Sequence, residues 1–599
     1  MHLACSGLRD YVARNATLVV PSALLASAAR EELSRFEVDS GRRSWERSSI
    51  YSVETWLERC WQEVRYDIDA IPALLSPAQE LLLWRQLVER EHPDLFDLSA
   101  CARGARDAAR IMAQWHIRPD TVTAAEHWNG HQDGRQFLEW HRQFEDTCTM
   151  NGWMSRAHLW SRVPDWFAKG KLPKHETVLL GFDDWTPALQ AIRQSSGAQK
   201  VNWETPSPPT RKSQSVYADA SKEIVAAARW TRQAWESQPG SSIAVFIPEL
   251  NEQRAIVERT FRSVLYPASA QNSGVTPGDS IFHVAAAAPL DTEPLIASAL
   301  LFLELANPRL ETSHAGAIFR SPFLKGAAAE RSLRAGADIE LRRRRDMDVS
   351  LRDLLYASRN CPVLTSTIWP SLLDILKKRP DKAELADWSR FISNLLQTLD
   401  WPGDNDPNER EQSLLDSWKS ALSNLATLGM VAGVVPYDTA LRHLRRLLHA
   451  PGPALGEWSS PIQILDASDA AGLSFDQACL TGLSEETWPP RQRLSPFIPM
   501  AVQRAHGIPG SSQDSARELS RRRTRALFQA APILNISFCG RLAPIASQFL
   551  GKGSLRPEFW EGELPMEAFQ PAPLECIEDS FGPVFTSSEL MRGGAAVLK

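Results

Sequence analysis

An acidic pair directly follows a buried strand and could hold a metal ion. The run Thr177–Leu180 has the continuous apolar character of a buried strand, and Gly181-Phe182-Asp183-Asp184 comes next. Two carboxylates there could hold Mg²⁺ and activate a water molecule. The same residues could instead form a structural turn that leads to Pro187. We favour the turn, because the first fifty residues contain no Gly-Lys-Ser/Thr sequence that would cradle the phosphates of a nucleotide.

Two basic clusters could bind the phosphate groups of DNA. The first lies in and before a predicted helix and contains Arg320, Arg331, Arg334, Arg342, Arg343, Arg344 and Arg345. The second lies in a helix predicted from Asp514 to Phe528 and contains Arg521, Arg522 and Arg525. Acidic residues are interleaved with the first cluster, namely Glu330, Asp338, Glu340 and Asp346. The first cluster could therefore equally be an ion-paired, solvated helix face, and both interpretations stay open.

Residues 462–490 predict a strand, a turn and a second strand. The apolar runs Ile462–Leu465 and Gln477–Leu483 are each short enough to be a buried strand. The segment between them contains a glycine that suits a tight turn. We expect five residues to maintain this local architecture, namely Gly472, Phe475, Gly482, Trp488 and Pro489.

This stretch resembles a motif of UvrD-like superfamily 1 helicases, in which a strand leads into a sequence of the type H-x-A-K-G-L-E-F. Here Ala471 stands at the lysine position and Ser474 at the position of the acid. The strand that begins at Ile243 resembles the helicase strand that supplies an arginine toward the nucleotide, but Pro248 stands at the position of that arginine. In the helix that resembles the sixth helicase motif, the arginine that would stabilise the transferring phosphate falls on Gln529. The resemblance therefore implies a motor fold that has lost its nucleotide contacts.

The order of the elements is similar to that of AddB-like proteins, and closest to the branch called probable DNA repair proteins. The resemblance covers nearly the whole chain and is carried by TLVVPSALL, LLGFDDWTPA, IAVFIPELNEQRAIVE, FRSPFL and GLSFDQACLTGLSEETWPP. It implies an α/β fold with two RecA-like, P-loop-NTPase-type parallel-sheet cores, each interrupted by a mostly helical insertion. Family members carry a carboxy-terminal PD-(D/E)XK nuclease. The sequence ends before any such segment, so the resemblance assigns no nuclease residue to this chain. Because the nucleotide contacts are also lost, we expect no catalytic, cofactor or metal residue in it.

The alternation of strand and helix patterns predicts where these parts begin and end. The first core is expected at 1–60 and 167–206, around a helical insertion at 61–166. The second core is expected at 211–300 and 456–560, around a helical insertion at 301–455. Residues 561–599 are expected to be a linker toward a carboxy-terminal domain that the chain lacks.

Composition limits the possible partners and compartments. The net charge is −6, so any contact with nucleic acid must come from local basic patches. Eight scattered cysteines without a C-x-x-C pair fit reduced thiols, and no segment is long and apolar enough for a membrane span, so we expect a cytoplasmic location. The 21 tryptophans are expected to fill helical cores instead of forming a platform for stacked bases.

The resulting hypothesis is a DNA-repair scaffold without ATP hydrolysis of its own. It would bind DNA, a helicase-nuclease partner subunit or both during double-strand-break recombination. Two alternatives stay open. The chain could be the amino-terminal part of a nuclease subunit, or a protein interaction scaffold that makes no contact with DNA.

Overall fold

The structure, a computed structural model, describes most of the chain. The described residues are 2–5, 7–44, 48–67, 71–119, 122–204, 209–266, 281–286, 289–404, 406–450, 460–550 and 558–559. The predicted linker at 561–599 lies outside these residues.

The first part of the chain alternates strands and helices. The Ser22 hydroxyl accepts a hydrogen bond from the Leu25 N–H and starts the long second helix, as its position before an apolar helical pattern predicts. The elements are β1 (His2–Leu3), α1 (Leu8–Ala13), β2 (Thr17–Val20), α2 (Ala23–Asp39), β3 (Ile50–Ser52) and α3 (Val53–Asp67).

A mostly helical segment follows. Its first long helix begins with a capping box, in which the Ser76 hydroxyl and the Gln79 amide each accept a backbone hydrogen bond, with Pro77 in the first turn. The elements are β4 (Ala73–Leu74), α4 (Pro77–Glu91), α5 (Leu98–Trp115), α6 (Val122–Asn129), α7 (Gln132–Asn151), β5 (Trp153–Met154) and α8 (Leu159–Ala168).

The chain then completes a small parallel sheet. The next elements are β6 (Thr177–Leu180), α9 (Pro187–Ser196) and β7 (Gln199–Val201). The strands run in the order β3-β2-β6-β7, and every neighbouring pair is parallel. Leu18 pairs with Val178 in the centre of this sheet, and both are fully buried, which is why these strands are continuous apolar runs.

A second α/β region begins at Arg211. Its elements are β8 (Arg211–Tyr217), α10 (Ala220–Ser237), β9 (Ile243–Ile247), α11 (Leu250–Leu265) and β10 (Phe282–Val284). The side chain of Asp219 accepts a hydrogen bond from the Lys222 N–H and caps α10.

A second helical region then follows, with its own apolar core. Its elements are α12 (Pro294–Leu303), β11 (Leu310–Glu311), α13 (Thr312–Arg320), α14 (Arg331–Arg343), β12 (Asp348–Val349), α15 (Leu351–Ala357), α16 (Trp369–Lys377), β13 (Lys382–Glu384), α17 (Leu385–Thr398), α18 (Glu409–Thr427), α19 (Gly429–Ala432), β14 (Val434–Pro436) and α20 (Tyr437–His449).

The last described part returns to the larger sheet. Its elements are β15 (Ile462–Asp466), β16 (Leu473–Ser474), β17 (Gln477–Leu480), α21 (Met500–Ala505), α22 (Gln513–Gln529), β18 (Ile533–Cys539), α23 (Pro544–Ser547) and β19 (Glu558–Phe559). The larger sheet runs β10-β15-β9-β17-β18-β8, and these neighbouring pairs are all parallel. The predicted α/β class with parallel sheets is confirmed.

One apolar core joins the two sheets. It contains β2 and β6 side chains such as Leu18 and Leu180, and β9 and β17 side chains such as Phe246 and Leu480. By contrast, residues around Phe497 pack into the core of the first helical segment, where an added Cβ on Gly104 would lie 2.8 Å from the Phe497 ring. None of the helices in the described ranges combines the length and the apolar character that crossing a bilayer requires.

Candidate functional site between the two parallel sheets

The loop after β6 forms a tight turn at the carboxyl edge of the smaller sheet. Gly181 has a φ of +77°, and its N–H donates to the Val201 carbonyl over 2.8 Å. Phe182 is buried, and Pro187 starts α9 directly after Thr186, whose side chain caps the helix. Within the described ranges, no group of three or more His, Cys, Asp or Glu side chains could hold a metal ion. The Gly181 hydrogen bond and the Thr186 cap are contacts of a tight turn that leads into α9.

The segment after β15 forms the facing loop. The Asp466 carboxylate accepts hydrogen bonds from the Leu250 N–H at 3.0 Å and the Ser468 N–H at 2.8 Å. The loop then turns at Gly472, which has a φ of +83°, and continues into β16, whose Ser474 pairs with His2 of β1. The predicted strand-turn-strand is therefore extended by a pairing with the amino-terminal segment.

The indole of Trp203 lies between these two loops. An added Cβ on Gly181 would lie 2.0 Å from the indole, and one on Gly472 would lie 2.4 Å from it. The Glu204 N–H donates to the Ala4 carbonyl over 2.8 Å, and the Ala4 N–H donates to the Gly472 carbonyl over 3.0 Å. Trp203 and the amino-terminal segment therefore occupy the space between the carboxyl-edge loops of the two sheets.

Arginine side chains of α22 connect the two loops electrostatically. Arg522 Nη2 lies 2.7 Å from Asp184 Oδ1, and Arg522 Nη1 donates to the Asp183 carbonyl over 3.2 Å. Burial raises the pKa of the Asp183 carboxyl group, and Arg522 opposes this rise. Burial lowers the pKa of Arg523, whereas nearby Asp184 and Asp466 raise it. Arg522 therefore forms an ion pair within the site, whereas Arg523 is influenced by the charges of nearby acids without a direct ion pair to a described residue.

Asp469 belongs to the same group of charges. Although solvent reaches part of this residue, its carboxyl group lies among protein atoms and near Asp466, and these effects raise its pKa to about 6. Arg523 opposes the rise. Among the described residues of this site, four acids (Asp183, Asp184, Asp466 and Asp469) outnumber the two arginines, so these residues provide no surplus of positive charge for the phosphates of a nucleotide.

A buried carboxylate organises the carboxyl edge of the larger sheet. Glu223 Oε1 accepts hydrogen bonds from the Gly482 N–H at 2.7 Å and from the Ser537 hydroxyl at 2.6 Å. The Cys539 thiol donates to Glu223 Oε2 over 3.1 Å, and burial together with this contact raises the pKa of the thiol to about 12. An added Cβ on Gly482 would lie 2.9 Å from Pro248 Cδ, so Pro248 is packed tightly in this edge.

The remaining motif residues are parts of the core or of its rim. Trp488 is buried, and its Nε1–H donates to Thr524 Oγ1 over 3.0 Å. A cis peptide bond joins Trp488 to Pro489, and Phe475 is buried in the core that joins the sheets. Ala471 and Gln529 are partly exposed, and a methyl group and a neutral amide carry no charge for a phosphate.

Acidic side chains engage much of the first arginine cluster. Arg334 is only 1% exposed, and its Nη2 lies 3.1 Å from Glu330 Oε2. Arg320 and Arg342 both contact the Asp338 carboxylate. The fold thus encloses the guanidinium of Arg334, one of the predicted DNA-binding residues, and pairs it with Glu330 beneath the surface.

The other members of this cluster divide into two groups. Arg344 Nη1 lies 2.6 Å from Asp353 Oδ1. Arg331, Arg343 and Arg345 are exposed, and they make no ion pair with another described residue. Only these three of the first seven candidates present a free guanidinium to solvent in the described structure.

The second cluster forms a stripe on α22. Arg517, Arg521 and Arg525 are four residues apart and all exposed, so they lie on one face of the helix. Arg521 and Arg525 make no ion pair with another described residue, whereas Arg517 lies 3.8 Å from the exposed Asp514 carboxylate. Arg522 faces Asp184 instead. The stripe is a small, accessible source of positive charge.

Comparisons with known proteins add no identification. A scan against protein-family models finds no match, and a search of curated proteins finds no similar sequence. The class of this protein therefore follows from its fold and its site alone. It is an α/β protein with two parallel sheets, and the Trp203 side chain packs between the facing loops of these sheets.

Proposed function

We propose that this chain is a DNA-repair scaffold related to AddB-like proteins and to superfamily 1 helicases. In this proposal its two parallel sheets are RecA-like cores that have lost ATP hydrolysis, and the protein binds DNA or a helicase-nuclease partner subunit. The observation that carries the proposal is the Trp203 indole between Gly181 and Gly472. Open parallel sheets bind nucleotides beside the carboxyl ends of their strands, and here an indole fills that space.

The loss of charged groups supports the same conclusion. In an active motor, a lysine and an arginine contact the phosphates, and an acid with a magnesium ion positions the attacking water. The resemblance puts Ala471, Pro248 and Gln529 at three positions where it expects such groups. The Asp183-Asp184 pair remains, but Arg522 contacts both residues.

An ATPase assay with the full chain tests this part of the proposal. We expect no ATP hydrolysis above background, with or without duplex DNA ends. We also expect no binding of a fluorescent ATP analogue, because the acidic side chains described in the site outnumber Arg522 and Arg523 and would repel its phosphates. A DNA-stimulated ATPase rate that Asp183→Ala abolishes would overturn the proposal.

The stripe on α22 is the part of the surface best suited to DNA. An arginine that makes no ion pair can bind a DNA phosphate and release its counterion, whereas an ion-paired arginine must first break its contact with a carboxylate. We therefore expect Arg521 and Arg525 to contribute more to DNA affinity than Arg320 or Arg342, which share one carboxylate.

Fluorescence anisotropy with a labelled duplex end, at several salt concentrations, measures this contribution. Each phosphate contact contributes a slope of about −0.9 to the dependence of log K on log salt, so changing both Arg521 and Arg525 to Ala should make the slope shallower by about 2. Arg342→Ala serves as the matched control. Equal slopes for the double variant and the wild type would contradict the role of α22. If no DNA binds at low salt, the interaction-scaffold alternative is favoured.

A further inference from the structure

A cavity of about 270 Å³ lies in the first helical segment, outside the site between the sheets. Residues of α3, α4, α5, α7 and α8 line it. Its walls include three buried aromatic side chains, Trp84, Phe144 and Trp160, and the first two stack with ring centroids 4.4 Å apart. These side chains give the cavity an apolar wall.

A carboxylate without a cationic partner reaches this cavity. Glu80 is 4% exposed, and its carboxylate accepts a hydrogen bond from the Arg156 N–H. No lysine, arginine or histidine of the described residues forms an ion pair with it. Burial raises the pKa of Glu80 to about 7, and the Arg156 N–H and the charges of Arg106 and His158 oppose this rise, whereas the charge of Glu145 adds to it. Burying an ionised carboxylate costs free energy unless an opposite charge and hydrogen bonds compensate its lost hydration.

The positive groups around the cavity are already compensated. Each of the three arginines that reach it contacts another carboxylate: Arg106 with Asp107, Arg110 with Glu54, and Arg156 with Glu58. A further carboxylate, Glu145, lies 2.8 Å from His158 Nε2. Carboxylates therefore outnumber arginines here, and an anionic ligand would meet no free cation.

We infer that this cavity binds a small organic cation, an amine or amidinium attached to an aromatic body. Glu80 supplies the opposite charge, and Trp84 and Phe144 supply the apolar wall. Pockets for drug-sized ligands usually span about 300–1,000 Å³, so the cavity volume limits the occupant to a small molecule. This inference does not depend on the proposed role in DNA repair.

Calorimetric titration with benzamidine and its uncharged analogue benzamide tests the inference on the full chain. The measurement is made at pH 8, where a carboxyl group with the pKa of Glu80 is mostly ionised. We expect benzamidine to bind about tenfold more tightly than benzamide, as one charge-assisted hydrogen bond would provide. Equal affinities for the two compounds, or no heat with millimolar benzamidine, would overturn the inference.

Three variants of α4 assign the preference to one side chain. Glu80→Gln should remove the preference for benzamidine and leave benzamide affinity unchanged, and Glu80→Asp, which retains the charge, should retain the preference. Glu89→Gln is the matched control, since this glutamate lies on the same helix, does not line the cavity and is half exposed. Near-ultraviolet circular dichroism checks that each variant is folded. An unchanged preference in folded Glu80→Gln would contradict the role of Glu80.

Discussion

Replacing Gly472 with alanine should destabilise the protein through two separate effects. Its φ of +83° lies in the left-handed region, where a Cβ costs about 1 kcal/mol. The new methyl group would also lie 2.4 Å from the Trp203 indole, and overpacking of this kind costs about 1–3 kcal/mol. The expected loss in the free energy of unfolding is therefore about 2–4 kcal/mol.

Gly197 provides a matched control for the backbone effect. It has a φ of +75° at the end of α9, and an added Cβ there meets no atom within 4 Å. Gly197→Ala should therefore cost about 1 kcal/mol and no more. Urea unfolding, followed by circular dichroism and by tryptophan fluorescence, compares the two variants, and both probes are needed because a chain with several cores need not unfold in one step.

A double-mutant cycle with Trp203→Ala isolates the contact itself. Without the indole, the overpacking disappears, and Gly472→Ala should cost only as much as Gly197→Ala. The coupling free energy between positions 203 and 472 is then about 1–3 kcal/mol. If Gly472→Ala has the same cost with and without Trp203, the indole does not fill the space between the loops, and the main argument against nucleotide binding fails.

Two further predictions concern buried charges. Burial raises the pKa of Glu80 from 4.5 to about 7, so between these pH values the native state keeps a proton that the unfolded chain has released. Protonation of Glu80 therefore contributes up to about 3 kcal/mol to the free energy of unfolding. This contribution is complete below pH 4.5 and is lost as the pH rises through 7. Glu80→Gln should remove this decline when urea midpoints at pH 5 and pH 8 are compared, and a wild-type-like decline would contradict the assignment. Arg334→Ala should lower the free energy of unfolding by about 3–5 kcal/mol in thermal unfolding, because it leaves Glu330 buried without its partner. As a control, Arg331→Ala, at an exposed position, should change it by less than about 0.5 kcal/mol. Similar effects of the two substitutions would refute the role of burial.

The central strands could be predicted because both of their faces are buried. All five residues of Ile243–Ile247 are buried, and so are all four of Thr177–Leu180, so each strand is a continuous apolar run. The strand Arg211–Tyr217 has no such signal, since only Gln214 is buried in it. Its place beside β18 depends on pairing with residues more than three hundred positions away, which a local pattern does not reveal.

The candidate site was less predictable because its key contact joins three distant segments. Gly181 and Gly472 suggested tight turns, but no pattern in the sequence indicates that Trp203 packs against both. The burial of Arg334 did have a signal. Positions 334, 337, 338 and 341 are all buried, and this spacing places the arginine on the inner face of α14.

The same contacts that fill the site also bear on how the proposed scaffold would respond to ATP. A ligand shifts a conformational equilibrium only by its difference in affinity for the two states, so a motor needs a cleft that the nucleotide itself closes. Here the Trp203 indole packs against both loops, and the Arg522–Asp184 pair connects α22 with the loop after β6. In the proposed scaffold, a nucleotide would therefore have to displace these side chains before it could change the arrangement of the loops. If the protein binds DNA as we propose, its DNA affinity should therefore be the same with and without ATP, whereas the affinity of an active helicase would change with the state of its nucleotide.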